Sequence, residues 1–261
     1  MPALRAAVFA ANRLPIIVSK VLPHRRAAWW KRWLLQRPRH ILVASEGEAD
    51  LARRLDLDAN RIVICPPAVE IAEAEHVRAV GSDLDGCLVV AFGTERFASC
   101  GKVAVWAFDL VRHVEPMLRL ALVGRCRERD RIAEFISQVT EASRVEFAES
   151  SEAHSKCLAQ AKVAWVFAAR NDGMDRLAEA WAAGLPVVTS DMPELAGRVR
   201  HEIDVLQVAA NDPVALGRAT RRLLDDPDLR HRLAEAGRER ARRDFDPVRL
   251  AGCVARVYEI P

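Results

Sequence analysis

The chain has 261 residues, 51% hydrophobic and 29% charged, and its 39 Lys and Arg nearly balance 36 Asp and Glu, for a net charge of +3. That length suits one large α/β domain, or one domain with an appendage, and suffices for a sizeable core. The near-neutral balance argues against a dedicated nucleic-acid binder, and no apolar run is long enough to cross a bilayer. Cys65, Cys87, Cys100, Cys126, Cys157 and Cys253 are scattered without a CxxC pair, which reads as reduced, structural cysteines of a cytosolic protein.

The apolar patch from Met1 to Pro15 is interrupted by Arg5 and Arg13, so it is not read as a signal peptide. A strand is predicted over Pro15–Ser19. The stretch Arg25–Arg39 (RRAAWWKRWLLQRPR) has two readings. Trp30, Trp33, Leu34 and Arg37 follow helical spacing, so the tryptophans can pack inward with arginines in water. The same basic, aromatic helix also suits peripheral contact with an anionic membrane surface. Next come a strand over His40–Ala44, a helix opened by a Ser45…Glu48 capping box and ending near Leu55, and a strand over Arg61–Cys65 stopped by Pro66 and Pro67. Residues 71–85 are polar and mixed and read as a linker.

Cys87–Phe92 reads as the first core strand of a second domain. The loop Gly93–Lys102 (GTERFASCGK) follows. Glycine lets backbone amides approach a diphosphate closely, and Arg96 and Lys102 can neutralise its charge. The alternative is an ordinary strand-to-helix loop with two surface cations. Val103–His113 is predicted helical, with Val103, Ala107, Leu110 and Val111 inward. Leu118–Gly124 is a strand whose terminal glycine would let backbone approach a ligand. A helix (Arg131–Val139), a short strand (Val145–Phe147) and a helix (Glu152–Ala161) follow. His154 on the last of these has no partner at metal-ligand spacing and reads as solvated.

Val163–Thr189 (VAWVFAARNDGMDRLAEAWAAGLPVVT) is the best-patterned stretch: strand, polar turn, helix, tight turn, strand. In open α/β sheets ligands sit beyond the carboxyl ends of strands, which places Asn171, Asp172 and Gly173 like a site. Asn171 or Asp172 can cap the helix. Leu177, Ala180, Trp181 and Gly184 form a buried stripe, while Asp175 and Glu179 lie on another face. Glu179, on a helix that starts beside the crevice, could accept two sugar hydroxyls or could be a solvated helix residue. A short helix is predicted over Pro193–Val199 and a strand over Asp204–Val208. Asp212-Pro213 and Asp226-Pro227 open helices. Arg230–Arg243 interleaves arginines with Glu235 and Glu239 and reads as a solvated helix rather than a nucleic-acid patch. Asp244–Pro247 begins a final helix that ends near Ile260.

Leu177–Val188 (LAEAWAAGLPVV) resembles the "LEAMAAGxPVV" segment of group 1 (family 4) glycosyltransferases of the GT-B fold. Residues 45–70 resemble that family's helix and strand leading into its second domain, and Leu118–Gly124 its "lxivG" strand. The likeness covers roughly residues 40–258. It implies an α/β, Rossmann-like parallel sheet flanked by helices at 86–261, with closing helices and only a remnant (1–70) of the N-terminal, acceptor-side domain. Three explanations stand beside that remnant: a fragment, a second chain supplying the other half, or lost transferase activity.

The resemblance further implies retaining, metal-independent transfer of a hexose from a nucleotide-sugar to a cell-envelope or polysaccharide acceptor, with no cofactor. Arg96 and Lys102 would bind the diphosphate and stabilise the leaving group. Gly93 and Gly124 would admit the nucleotide, the base would lie against the loop after Phe147, and Glu179 would bind the ribose. The family's donor-sugar Glu, eight residues before Glu179, is here Asn171, which keeps hydrogen bonding but not charge. Asp172 or Gly173 would complete that contact. The Arg96-to-Lys102 spacing is one residue longer than the family's, and the usual Lys-Gly order is reversed at Gly101-Lys102. The expected location is cytoplasmic, with Arg25–Arg39 able to touch the inner membrane face. The rival reading is a non-catalytic binding or scaffold module on the same fold. A related epimerase is a third, which would need catalytic acids in both domains.

Overall fold

The computed structural model describes residues 40–43, 46–54, 56–65, 68–69, 88–92, 100–126, 128–167, 173–191, 195 and 197–258. The chain divides into two units, Met1–Ala68 with Phe245–Pro261, and Val69–Asp244. The Arg25–Arg39 stretch and the 71–85 linker lie outside the described residues, as do Pro193, Glu194 and Ala196 of the predicted Pro193–Val199 helix; the described Gly197–Val199 form a turn, the Arg198 amide donating to the Leu195 carbonyl at 2.9 Å.

In the smaller unit, strands β1 (Ile41–Val43) and β2 (Ile62–Ile64) pair in parallel, with Ile41 opposite Ile62. Helix α1 (Glu46–Arg54) joins them. Successive strand residues face opposite ways. Ile41 and Val43 pack with Ala49, Ala52 and Leu57, while Leu42 packs with Cys65, Cys253 and Val257. Those last two lie on the C-terminal helix, Pro247–Tyr258. The apolar face of this helix covers the small sheet, so it groups with the first segment and not with the 86–261 domain drawn from sequence.

The larger unit is a six-stranded, all-parallel sheet of β3 (Leu88–Phe92), β4 (Arg119–Val123), β5 (Val145–Ala148), β6 (Ala161–Val166), β7 (Val187–Ser190) and β8 (Leu206–Val208), in the order β5-β4-β3-β6-β7-β8. This is the doubly wound order, and the direction of winding reverses between β3 and β6. The helices are α2 (Lys102–Arg112), α3 (Arg129–Val139), α4 (Ser151–Gln160), α5 (Gly173–Ala182), α6 (Pro213–Asp225) and α7 (Pro227–Asp244), and the final helix is α8. Ser150 caps α4 by accepting from the Ala153 amide, and Asp212 and Asp226 cap α6 and α7 in the same way, each just before a proline.

Val89 and Ala91 of β3 and Val163 and Trp165 of β6 share a core with Ala104, Phe108, Leu216 and Leu223. Alternation turns Leu88, Val90 and Phe92 to the opposite face. Two buried polar side chains are paired within the core: the Trp165 indole N–H donates to Thr220 Oγ1 at 2.8 Å, and Thr189 Oγ1 donates to the Val166 carbonyl at 2.9 Å. Cys65, Cys157 and Cys253 are buried thiols outside any disulfide. Burial and a neighbouring carboxylate, Glu146, push the Cys157 thiol up to about 11, so it stays protonated at neutral pH, as a structural cysteine does.

Two expectations are corrected. On α2 the buried residues are Ala104, Val105, Ala107, Phe108 and Val111, whereas Leu110, expected inward, is 43% exposed. The segment is apolar nearly all round, so its periodicity does not fix which face turns in. Helix α7 is not simply solvated: Leu229, Leu233, Gly237 and Ala241 are buried, and so is Arg238.

Candidate functional site

Helix α5 is built to hold its polar face at the carboxyl edge of the sheet. Met174, Leu177, Ala178 and Trp181 are buried one turn apart and anchor it. Fully burying a large apolar side chain is worth about 1.5–3 kcal/mol, and Leu177 and Trp181 are both inaccessible. The helix ends in a Schellman arrangement: the Leu185 amide donates to the Ala180 carbonyl (3.0 Å) and the Gly184 amide to the Trp181 carbonyl (2.9 Å), with Gly184 at φ 69°. The sequence assigned this helix end to Gly184 and Pro186.

Glu179 is the carboxylate so presented. Its Oε1 lies 2.9 Å from Nε2 of His154, in the first turn of α4, and its Oε2 accepts from Arg176 Nη1 at 3.3 Å. Phe92, the last residue of β3, closes the group. Its ring meets the His154 ring edge-on at 5.7 Å, and the Arg176 guanidinium lies 5.9 Å from its centroid. The group therefore gathers at the point where the sheet's winding reverses, the usual place for a ligand crevice. Burial alone would raise the Glu179 pKa. The neighbouring His154 imidazole, and then the Arg176 guanidinium, outweigh it and hold the carboxyl below its ordinary value. An ionised carboxylate has about four acceptor sites, so with Arg176 bonded to Oε2 it can still accept two adjacent hydroxyls.

His154 is not solvated as expected, since its side chain is only 18% exposed. No local pattern marks it, because its partner lies on another helix. Arg176 was not singled out from the sequence, although its i,i+3 spacing to Glu179 is a signal that could have found it.

The other candidates fall in two places. Gly124 follows β4 with φ 102°, a conformation that favours glycine, and its amide donates to the Ala148 carbonyl at 3.1 Å. Phe147, on neighbouring β5, has the Arg129 guanidinium 4.6 Å over its ring, and Arg129 is paired with Glu149 at 3.0 Å. Lys102 is the first residue of α2 rather than the end of a loop, and its Nζ lies 5.7 Å from the Phe135 ring centroid on α3. Gly173 is the first residue of α5. Gly93, Arg96, Asn171 and Asp172 lie outside the described residues. Among the described residues no cluster of His, Cys, Asp and Glu could hold a metal ion, and no helix is long and apolar enough to cross a membrane.

Comparison with known proteins agrees with this architecture. Residues 89–226, more than half of the chain, match the family model of "Glycosyl transferases group 1". The chain is 32% identical over 205 residues to the lipopolysaccharide core biosynthesis glycosyltransferase LpsD of Rhizobium meliloti (strain 1021), covering 78% of this chain and 57% of that one. It thus spans little more than half the length of that relative. A shorter segment of 80 residues is 40% identical to glycogen synthase of Mycobacterium tuberculosis, 31% of this chain and 19% of that protein. Among solved structures, Anabaena Alr3699/HepE in complex with UDP and glucose superposes with a TM-score of 0.82 at 16% identity, covering 99% of this chain and 75% of that one. WaaG, a glycosyltransferase involved in lipopolysaccharide biosynthesis, superposes with a TM-score of 0.61 at 20% identity, covering 83% and 62%. The chain belongs to the group 1 glycosyl transferases, and its larger unit has the Rossmann-like fold of a GT-B C-terminal domain.

Proposed function

We propose that this chain binds a nucleotide-sugar at the carboxyl edge of its six-stranded sheet and transfers the sugar, with retention and without a metal, to a carbohydrate acceptor of the cell envelope. The observation that carries this reading is Glu179, an ionised carboxylate at the reversal point of the sheet, within the segment that likens the chain to its family. Glu179 accepts the two ribose hydroxyls. Asn171, Asp172 and Gly173 meet the donor sugar. Arg96 and Lys102, with the amides of the first turn of α2, take up the charge that grows on the departing diphosphate as its bond to the anomeric carbon breaks. Gly93 and Gly124 let backbone approach the nucleotide, and the base lies near Phe147. The acceptor class follows from the Rhizobium relative's name, and a uridine donor is favoured by the UDP and UDP-glucose held by the Anabaena structures. The working location is the cytoplasmic side, with Arg25–Arg39 touching the inner membrane face.

A second reading, binding without turnover, draws on Asn171 standing where the family carries Glu and on the Lys102 ammonium lying over Phe135. Thermal-shift measurements against UDP, GDP, ADP and their sugar conjugates test the donor site, because a ligand that binds only the folded state raises its melting temperature. One base is expected to raise Tm, and no shift with any would contradict the reading. Release of nucleotide from the matching sugar conjugate separates the enzyme from the binding module.

A further inference from the structure

Resting on the reading of Glu179 as the ribose acceptor, the geometry points to Arg176 as a further donor-binding residue, whose guanidinium meets the diphosphate. Arg176 and Glu179 are paired one turn apart on α5, with Arg176 nearer the helix's first residue, Gly173. A nucleotide laid along that face has one favourable direction. Its ribose lies on the Glu179 carboxylate, and its phosphates turn away from that charge, toward the amides of the helix's first turn. Arg176 stands between the two.

The guanidinium is already held there. Nη1 donates to Glu179 Oε2 at 3.3 Å, and the group lies 5.9 Å from the ring centroid of Phe92, the last residue of β3. Its side chain is 26% exposed, so the charge sits at the crevice and not out in solvent. The bond to Glu179 engages one of several N–H donors, and the planar fork of a guanidinium matches two oxygens of a phosphate. The Lys102 ammonium, by contrast, lies over Phe135 of α3. Arg176 thus supplies a cation at the reversal point between β3 and β6. It shares with Arg96 and Lys102 the neutralisation of the diphosphate. Arg176 precedes the Leu177–Val188 segment that carries the family likeness, and no role for it follows from that likeness.

The test is calorimetric titration of UDP, GDP and ADP into wild type, Arg176→Gln, Arg176→Lys, Glu179→Gln and the variant carrying both Arg176→Gln and Glu179→Gln. Arg176→Gln is expected to lower affinity for the bound diphosphate about tenfold, the worth of a hydrogen bond to a charged group. Arg176→Lys keeps the charge and loses the fork, and is expected to lose less. A residue that only steadied the Glu179 carboxylate would matter no further once that charge is gone. The loss from Arg176→Gln is therefore expected to persist in the Glu179→Gln background. Unchanged affinity in Arg176→Gln overturns the proposal, as does an equal loss in Arg176→Lys or a loss that vanishes in the doubly substituted protein, and each of these leaves nucleotide binding by wild type intact. A wild type that binds none of the three diphosphates overturns the donor-site reading and this proposal together.

Discussion

Asp204→Ala is expected to destabilise the larger unit by about 3 kcal/mol, a loss typical of breaking a buried ion pair from one side. The Asp204 side chain is fully buried. It accepts from the Arg200 backbone amide at 2.7 Å, from Arg200 Nε at 2.8 Å and from Arg240 Nη1 at 3.0 Å. Its backbone carbonyl accepts from the Trp181 indole at 3.2 Å. Arg240 also donates to the Arg198 carbonyl at 2.6 Å and lies 5.1 Å over the Trp181 ring. The carboxylate thus ties the turn before β8 to helix α7, while the backbone carbonyl of the same residue ties that turn to helix α5. Alanine leaves the mostly buried Arg240 with Asp244 as its remaining acidic partner among the described residues. At about 2–4 °C per kcal/mol for a unit of this size, Tm should fall by about 6–12 °C. Asp204→Asn, which keeps the shape and one acceptor, should lose less. A loss below about 1 kcal/mol would mean that the remaining bonds of Arg240 hold the junction without Asp204.

Gly237→Ala is expected to destabilise as well, against the helix-forming preference of alanine. In an exposed helix interior this change gains about 1 kcal/mol. Here the added Cβ would stand 2.2 Å from Cδ1 and 2.6 Å from Nε1 of Trp181. That indole is fully buried and hydrogen-bonded, so it cannot swing away without losing its bond to Asp204. Overpacking of this kind costs about 1–3 kcal/mol, and the displaced bond adds about 1 more, for a net loss of about 2 kcal/mol. The paired change Trp181→Phe makes the cause visible. If the clash is with the indole, the double variant should lose less than the sum of the two single ones. A gain in stability from Gly237→Ala alone would show that helices α5 and α7 separate freely.

Much of this was legible in the chain itself. Val163–Thr189 carries its own punctuation: an apolar strand, Gly173 at the helix start, the Leu177 and Trp181 stripe, then Gly184-Leu185-Pro186. Each local signal agrees with the others, and the βαβ unit follows. Asp212-Pro213 and Asp226-Pro227 announced their helices for the same reason. What was not legible depends on partners distant in sequence. Arg240 reads as a solvated cation because its carboxylate lies 36 residues back. His154 reads as solvated because Glu179 and Phe92 are brought to it only by the order of the strands. Leu110 was turned inward because Lys102–Arg112 is apolar on almost every side, so only the packing of α2 on its neighbours decides which residues face the core. The closing helix was counted with 86–261 through its likeness to the family's closing helices, and the residues its apolar face meets, Leu42 and Cys65, lie at the other end of the described chain.

The central claim is that Glu179 holds the nucleotide of a sugar donor, and titration of a nucleoside diphosphate into wild type and Glu179→Gln tests it most directly. The substitution keeps size and shape and removes only the charge. Glu179 is part-exposed, so Tm without ligand should fall only modestly, by the charge interactions with His154 and Arg176 that the change removes. Hydrogen bonds to a charged group are worth about 1.5–3 kcal/mol, so affinity for the preferred nucleotide should fall about 10- to 100-fold. Equal affinity in the two proteins, with wild type binding well, would place the nucleotide elsewhere and contradict the account.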